Sequence, residues 1–398
     1  MITLAGALGD LGVSARIAAP SDFGDRVRAA GCEFVDLRMS VADWWPEQNA
    51  RNADWARNPV KTLAALRSGS KEQARAAAAL LADSVEPGEG IVSGPLSLGT
   101  AAGLAELRHS RLVAWYPAPM TPSRLPQATL NPLLPRPSRL NKWSGRFAAR
   151  GAEWILRPAV NEGRKTLRLR PWTARDYLAA VDRTPSVYGV SPTLMPADPA
   201  WPARVTVAGH FLHADPEPVI PTGCRSSWQS IPAPSTSGSA PGKAPSGSPT
   251  STWRARPWPW PDVPASSPAR ASGACCRVPA PPSTLSARSR MTGFPQLAAV
   301  VHHGGSGTTH RGVLAGVPSM AVPISFDQPY WGRRLAQLGV GPPAVPYRKL
   351  TPARLAHAIE QMTGSPEIAA RAKQLSTVLN TEHGPAVAAR TIAAALAR

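Results

Sequence analysis

The sequence predicts an α/β protein with doubly wound, mostly parallel sheets, and three observations carry that expectation. Short apolar runs alternate with amphipathic segments of helical period from Met1 to Ala118. The same alternation resumes at Met291 and continues to the C-terminus. In "VVHHGGSGTTHRG" (Val300–Gly312) a β-branched run enters a glycine-rich turn, as a parallel strand does when it opens a helix. At 398 residues the chain suffices for two domains, each large enough to bury a core.

From the N-terminus, "VSARIAAP" (Val13–Pro20) reads as a short strand. "SDFGDRVRAAG" (Ser21–Gly31) reads as a helix with Ser21 as N-cap and Gly31 as its stop. "CEFVDL" is the next strand, and "SKEQARAAAALLADSV" (Ser70–Val85) has a strong helical pattern. Two buried strands, Gly90–Leu98 and Arg111–Ala118, flank the helical "TAAGLAELRHS". Met120–Leu140 is proline-rich and irregular, and a helix follows over Ser144–Leu167. Val187–His213 reads as strand, proline-rich turn and strand. Beyond Met291, "LAAVVHH" is a strand, "THRGVLAGV" a short helix closed by Gly316, and "PSMAVPI" a strand. "TPARLAHAIEQM" carries Thr351 as N-cap and Pro352 at the first helical position, and "SPEIAARAKQL" repeats the device with Ser365 and Pro366. "PAVAARTIAAALAR" is a terminal amphipathic helix.

Residues Thr222–Arg290 differ in kind. They hold one acid, Asp262, against eight Lys or Arg, with fifteen serines and thirteen prolines, and no helical or strand period survives. That is the composition of a disordered linker. A structureless stretch of that length nonetheless counts against an ordinary compact fold. The organisation expected is therefore an N-terminal domain over 1–205, an interdomain crossing over 206–221, an aberrant segment over 222–290, and the remainder of a C-terminal domain over 291–398.

The net charge of +19 raises nucleic-acid binding as a question. The arginines are scattered and no basic helix with interleaved aromatics stands out, so nucleic acid is set aside as a partner. Codons rich in G and C account for the abundance of Arg, Ala, Pro and Gly. A basic face toward anionic lipid or a phosphorylated substrate suits the charge better. No apolar run reaches the roughly eighteen residues of a membrane span, and the N-terminus lacks a basic region and a cleavage site. Cys32, Cys224, Cys275 and Cys276 show neither metal-ligand nor disulfide spacing. The expectation is a cytoplasmic protein, or one peripheral at a membrane. The oligomeric state has no signature.

The glycine-rich turn carries the chemistry. A strand that ends in glycines and opens a helix presents free backbone N–H groups, which with the helix dipole favour a phosphate. Gly304, Gly305 and Gly307 let a pyrophosphate approach the backbone, while Thr308 and Thr309 offer caps and hydroxyl donors. A dinucleotide fingerprint is excluded because its last glycine is missing, and a P-loop because no lysine follows. Zinc on His302 and His303 is disfavoured because adjacent strand residues point to opposite faces. Phosphate binding stands ahead of a merely structural turn. His302 is left between core and site, since one face of its strand is core.

The stretch "HHGGSGTTHRGVLAGVPSMAVPISFDQPYWGRRLAQLGVGP" (His302–Pro342) resembles the donor motif of family 1 nucleotide-sugar glycosyltransferases, nearest to the bacterial sterol- and antibiotic-glucosyltransferase branch. Ile91–Leu98, "APMTPSRLP" (Ala118–Pro126), "NEGRKTLRLRPW" (Asn161–Trp172) and "SPTLMPADPAWPARVTVAGHF" (Ser191–Phe211) also resemble that branch. The resemblance covers most of Met1–Pro221 and Met291–Arg398. It implies the GT-B fold: two Rossmann-like domains facing a cleft, acceptor in the first and donor in the second, with the terminal helix crossing back. Carried over by position, His303 contacts the donor pyrophosphate, with Gly305, Ser306, Gly307 and Thr308 supplying further phosphate contacts. Asp327 and Gln328 bind the sugar hydroxyls, a carboxylate and an amide offering acceptors and donors to a diol. Arg311 stands where many relatives place a ribose-binding glutamate, and a guanidinium has no acceptor for ribose.

The implied reaction is inverting transfer of a hexose, glucose from UDP-glucose, to a hydroxyl of a lipophilic acceptor such as a sterol or polyketide. It implies no metal and no cofactor beyond that co-substrate. Residues 1–12 resemble the helix after the family's first strand and glycine-rich loop, so that strand and loop are expected to be missing. The catalytic base is unassigned, because Asp10 and Asp22 do not match its position and His109, His210 and His213 read as surface or packing residues. Within 222–290 nothing resembles the family, and compensating frameshifts would explain it. The C-terminal domain is then expected to be disrupted, leaving Val300, Val301 and "MAVPI" with unpaired edges and exposed faces. The alternative reading is an inactive remnant of the family.

Overall fold

The computed structural model describes residues 1–40, 59–126, 134–212, 297–324 and 326–397. The segment 222–290, with its cysteines and tryptophans, lies outside the described residues, as do Trp44, Trp45 and His213.

Helix α1 (Ile2–Gly9) leads into strand β1 (Arg16–Ala19), which pairs in parallel with β2 (Glu33–Asp36) across helix α2 (Gly24–Ala29). Gly31 stops α2 at φ +73°, a left-handed conformation that suits glycine. Ser21 is not its cap. It lies in a short 3-10 turn, and its Oγ donates to Asp36 Oδ1 at 2.7 Å. A cross-element carboxylate has taken the hydroxyl that a local cap would have used.

A four-stranded parallel sheet follows: β3 (Ile91–Ser93), β4 (Leu112–Tyr116), β5 (Ser186–Tyr188) and β6 (Val205–Val207), side by side in that order. Ile91 registers with Leu112, Ala114 with Ser186, and Ser186 with Val205. Strand β6 straddles the boundary expected at residue 205. Helices α3 (Pro59–Ala82), α4 (Leu98–Leu107), α5 (Arg139–Thr166) and α6 (Ala174–Arg183) come between the strands in sequence. The loop after β4 is stapled down: Tyr188 Oη accepts from the N–H groups of Met120 and Thr121, and the Asp198 carboxylate accepts from Ser123 Oγ and the Arg124 N–H.

Helix α5 begins a full turn before its expected start. Ser138 caps it by accepting from the Leu140 N–H. The extra turn matters, because Arg139, Lys142, Arg146 and Arg150 now interleave with Trp143 and Phe147 on one helix. The expectation that no basic helix carries aromatics is thereby corrected.

In the C-terminal half, β7 (Val300–His302) pairs in parallel with β8 (Ser319–Ala321) across α7 (Ser306–Leu314). Helices α8 (Gln328–Gln337), α9 (Pro352–Gly364), α10 (Pro366–Asn380) and α11 (Gly384–Ala397) complete it. Thr351 and Ser365 cap α9 and α10 as expected, accepting from Arg354 and Ile368 N–H. Strand β8 is neither unpaired nor exposed. The Ser319 N–H donates to the Val340 carbonyl, the Ala321 carbonyl accepts from Val345, and Met320 is fully buried. A non-strand segment fills the edge that the sequence left open. Val300, expected to be exposed, is 6% exposed and donates its N–H to the Pro318 carbonyl, whereas Val301 is 39% exposed.

The two halves share a core. Tyr188, Val190, Leu194 and Met195 from the N-terminal half pack with Val313, Tyr330, Trp331 and Leu335 from the C-terminal half. Helix α11 crosses back, setting Ala388, Ala389 and Ile392 against Leu4, Leu8, Val113 and Val187. Polar contacts cross the same seam. His310 is fully buried: its Nε2 accepts from the Ser191 N–H at 3.0 Å, and its Nδ1–H donates to the Ser306 carbonyl at 2.7 Å. Burial pushes its pKa down to about 4, so the ring is neutral. Ser191 Oγ donates to Glu382 Oε1 at 2.6 Å, and Arg334 Nε donates to the Leu194 carbonyl at 2.8 Å. Among the described residues no helix is long and apolar enough to cross a membrane.

Two outcomes follow from this seam. A Cβ on Gly384 would lie 2.5 Å from the Gly209 carbonyl carbon, so Gly384→Ala is expected to cost about 1–3 kcal/mol of stability, read as a lower urea midpoint. Gly364→Ala, with open space around it, serves as the neutral control. For His310 the folded pKa lies below the unfolded one of about 6.5. Between roughly pH 6.5 and 4 the unfolded chain binds a proton that the folded one refuses. Stability from this group is therefore whole above pH 6.5 and lost as pH falls toward 4, with a slope near 1.4 kcal/mol per pH unit. His310→Leu should remove one proton's worth of that slope in denaturation at stepped pH. At neutral pH it should cost about 2–5 kcal/mol, because two backbone groups lose their partner.

Candidate functional site

The candidate site is the turn between β7 and α7. Gly304 takes φ +86°, and a Cβ there would meet the Gln328 carbonyl oxygen at 3.0 Å and the Ala321 Cβ at 3.1 Å. Only glycine lets the chain leave the strand that close to the start of α8. Gly305 is the N-cap of α7 and provides no side-chain cap. The backbone N–H groups of Ser306, Gly307 and Thr308 therefore open the helix without intrahelical acceptors. A side chain on Gly305 would collide with the His303 ring, which lies across it.

The two histidines divide as strand alternation requires. His303 is exposed beside the turn. Its surroundings lower its pKa by burial, while the nearby Asp327 carboxylate raises it. His302 is turned in. Its Nδ1 accepts from the Gly304 N–H at 3.0 Å, and its Nε2 is buried with no partner among the described residues. Burial lowers its pKa to about 3, so the ring is neutral, and with Nδ1 accepting its proton sits on Nε2. The turn thus contains a buried N–H donor that nothing described satisfies. Adjacent histidines in the sequence were the signal, but only the packing shows which one carries the orphaned atom.

Asp327 and Gln328 begin α8 directly against this turn. Phe326 precedes them at φ +55°, a left-handed conformation that a non-glycine residue adopts with strain. Asp327 Oδ2 accepts from Trp331 Nε1–H at 2.7 Å, and Gln328 Oε1 accepts from the Ile324 N–H at 2.7 Å. Burial raises the pKa of Asp327 against the opposing pull of the Trp331 bond and of His303. The structure therefore brings His303, Gly305, Ser306, Gly307, Thr308, Asp327 and Gln328 to one place.

Two expectations change. Thr308 and Thr309 do not cap α7, which starts at Ser306; Thr308 lies in its first turn, and Thr309 is fully buried with no partner for Oγ1 among the described residues. His310 carried no sequence signal, yet it ties Ser306 of the turn to Ser191 of the other half. Of the other histidines, His109 is exposed, and His210 is buried with Nε2 bonded to the Leu379 carbonyl.

Comparison with known proteins gives the site its context. Residues 286–394 match the family model for the erythromycin biosynthesis protein CIII-like C-terminal domain. Over 314 residues the chain is 29% identical to O-mycaminosyltylonolide 6-deoxyallosyltransferase of Streptomyces fradiae, covering 75% of this chain and 71% of that protein. It is 43% identical over 95 residues to sterol 3-beta-glucosyltransferase UGT80B1 of Arabidopsis thaliana, covering 24% of this chain and 15% of that protein. It is 42% identical over 108 residues to vancomycin aglycone glucosyltransferase of Amycolatopsis orientalis, covering 26% of this chain and 25% of that one. The chain thus spans a minor part of two of these three relatives. Among solved structures, the glycosyltransferase of kitacinnamycin superposes with a TM-score of 0.59 at 16% identity, over 99% of this chain and 95% of that one. Glycosyltransferase VinC, solved in complex with dTDP, superposes with a TM-score of 0.58 at 17% identity, over 100% of this chain and 96% of that one. Parallel sheets, a glycine-rich turn facing an Asp-Gln pair and these similarities agree: residues 286–394 form an erythromycin biosynthesis protein CIII-like C-terminal domain, and the chain is similar to antibiotic and sterol glycosyltransferases and has the GT-B fold.

Proposed function

We propose that the protein transfers a hexose from a nucleoside diphosphate sugar to a hydroxyl of a lipophilic acceptor, with inversion at the anomeric carbon. Residues 1–205 would form the acceptor half and 291–398 the donor half. The observation that carries the reading is the turn itself: three helix-start N–H groups without intrahelical acceptors, a buried histidine N–H and the exposed His303 beside a carboxylate–amide pair.

In this reading the first turn of α7 holds the pyrophosphate, with Gly305 and Gly307 admitting it to the backbone and Ser306 and Thr308 adding hydroxyls. His303 donates to a phosphate oxygen. These donors stabilise the charge that grows on the leaving diphosphate as the anomeric C–O bond breaks. Asp327 and Gln328 orient the sugar by its hydroxyls. The acceptor oxygen forms the new bond from the opposite face and gives up its proton to a base. The donor is UDP-glucose in the simplest case, and VinC's dTDP makes a dTDP-sugar the comparison to run beside it. No finding supports the inactive-remnant alternative.

Titration calorimetry with UDP and dTDP, paired with turnover of UDP-glucose and dTDP-glucose, tests the reading. His303→Ala is expected to weaken nucleotide diphosphate binding by about tenfold, the worth of one charge-assisted hydrogen bond. Asp327→Asn should leave diphosphate affinity within about twofold and lower kcat/KM for the sugar nucleotide by about 10- to 100-fold. Failure of both nucleotides to bind the unaltered chain would sink the proposal.

A further inference from the structure

Helix α5 opens on Arg139–Ala152, a stretch without one acidic residue. At 3.6 residues per turn, Leu140, Trp143, Phe147 and Trp154 fall within roughly 60° of arc along ~21 Å of helix. All four stand in solvent, at 53%, 62%, 67% and 48% exposure. Large apolar side chains aligned and exposed on one helix stripe mark an interaction surface. Trp143 and Phe147 stack on each other, ring centres 6.2 Å apart. Arg139, Arg146 and Arg150 border the stripe and are exposed too.

The stripe is held in place. The Asn141 side chain, on the inner face, donates to the carbonyls of Arg124, Leu134 and Arg136, and accepts from the Leu134 N–H. Ala159 and Val160 are buried further along. Near the stripe's start, a Cβ on Gly145 would meet Pro122 Cα at 3.1 Å, in the loop after β4 where Met120 is 40% exposed.

We infer that this face of α5 docks the protein on an anionic bilayer surface. Leu140, Trp143 and Phe147 enter the boundary between headgroups and acyl chains. The arginines lay their stems along that boundary and pair with lipid phosphates. Charge selects this occupant over the others. A second copy joined by two-fold symmetry would set the arginine row against its own kind, with no acid in the stretch to neutralise it. A nucleic acid duplex would match the cations and leave the apolar stripe without an apolar layer. A bilayer supplies both. The inference goes beyond the proposed transfer reaction and does not depend on it.

Flotation of the full chain with vesicles of phosphatidylcholine, with and without phosphatidylglycerol, tests it. Binding is expected to the anionic vesicles and to fall with added salt. Trp143→Ser with Phe147→Ser should weaken it by about tenfold or more, and so should Arg146→Glu with Arg150→Glu. A charge-reversal pair elsewhere, Arg28→Glu with Arg354→Glu, should change it far less, which separates docking by α5 from general attraction of a basic protein. Unchanged thermal melts keep unfolding out of the comparison. No binding to anionic vesicles at low salt overturns the proposal, as does equal loss in the control pair. It is also overturned if the serine variants bind vesicles normally but shift sedimentation from dimer to monomer, which assigns the face to a second copy. Displacement from vesicles by duplex DNA, with the serine variants unaffected, assigns it to nucleic acid and overturns it likewise.

Discussion

The geometry of the glycine-rich turn rests on one neutral imidazole. His310 donates from Nδ1 to the Ser306 carbonyl in the first turn of α7 and accepts at Nε2 from the Ser191 N–H in the other half. The two bonds fix its tautomer, because only one ring nitrogen can carry the proton. They also set the position of the glycine-rich turn relative to Ser191 in the N-terminal half, 119 residues from His310 in sequence. Everything else at the seam reinforces that link. Trp331 presents its ring to His310 at 5.1 Å, edge to face. Ser191, Thr193 and Leu194 are held by Glu382 and Arg334. Gly209 and Gly384 pass so closely that a Cβ on Gly209 would lie 2.7 Å from Gly384 Cα. A buried polar group without its partner is destabilising, so these contacts stand or fall together.

The sequence was most legible where the determinant is local. The Thr351-Pro352 and Ser365-Pro366 starts need only a hydroxyl and a fixed φ within one turn, and both behave as read. Gly31 and Gly316 stop their helices with positive φ for the same reason. Gly304 and Gly305 of the turn were likewise readable as glycines, since close backbone approach leaves few other residues possible. Legibility failed where the partner is remote. Ser21 has every local mark of a cap but meets Asp36 across the fold. Thr309 has the composition of a donor but points into the core. Strand β8 lacked a visible neighbour because its edge is filled by the irregular segment around Val340–Val345, which has no strand period. His310 could not be singled out at all: a histidine inside a helix announces no partner in another half of the chain.

Helix α5 shows how a boundary error can hide a property. A start at Ser144 strips off Leu140, Lys142 and Trp143, and what remains reads as an ordinary surface helix. With Ser138 as its cap the helix gains one basic-aromatic turn, and the periodicity of Leu140, Trp143 and Phe147 becomes visible. The boundary was obscured by the prolines before it, which suggest irregular chain until the cap is recognised.

The charge of the protein is thereby separated from the chemistry of its turn. Helix α5 concentrates part of the net charge of +19 beside exposed apolar side chains. Within the turn the arrangement is different: His302 and His310 are held neutral by burial, and the Asp327 carboxyl raises the pKa of His303 against the lowering by burial. An anion at this turn would meet backbone and imidazole N–H dipoles, fixed in direction by β7, α7 and the seam. Fixed dipoles need little reorganisation when charge builds on a leaving diphosphate as the anomeric C–O bond breaks, whereas a flexible lysine or arginine would have to follow it. The long-range field of a basic chain would attract an anionic ligand, and the short-range dipoles would orient it. In that division a chain rich in arginine would leave the contact with an anion to the glycines of this turn.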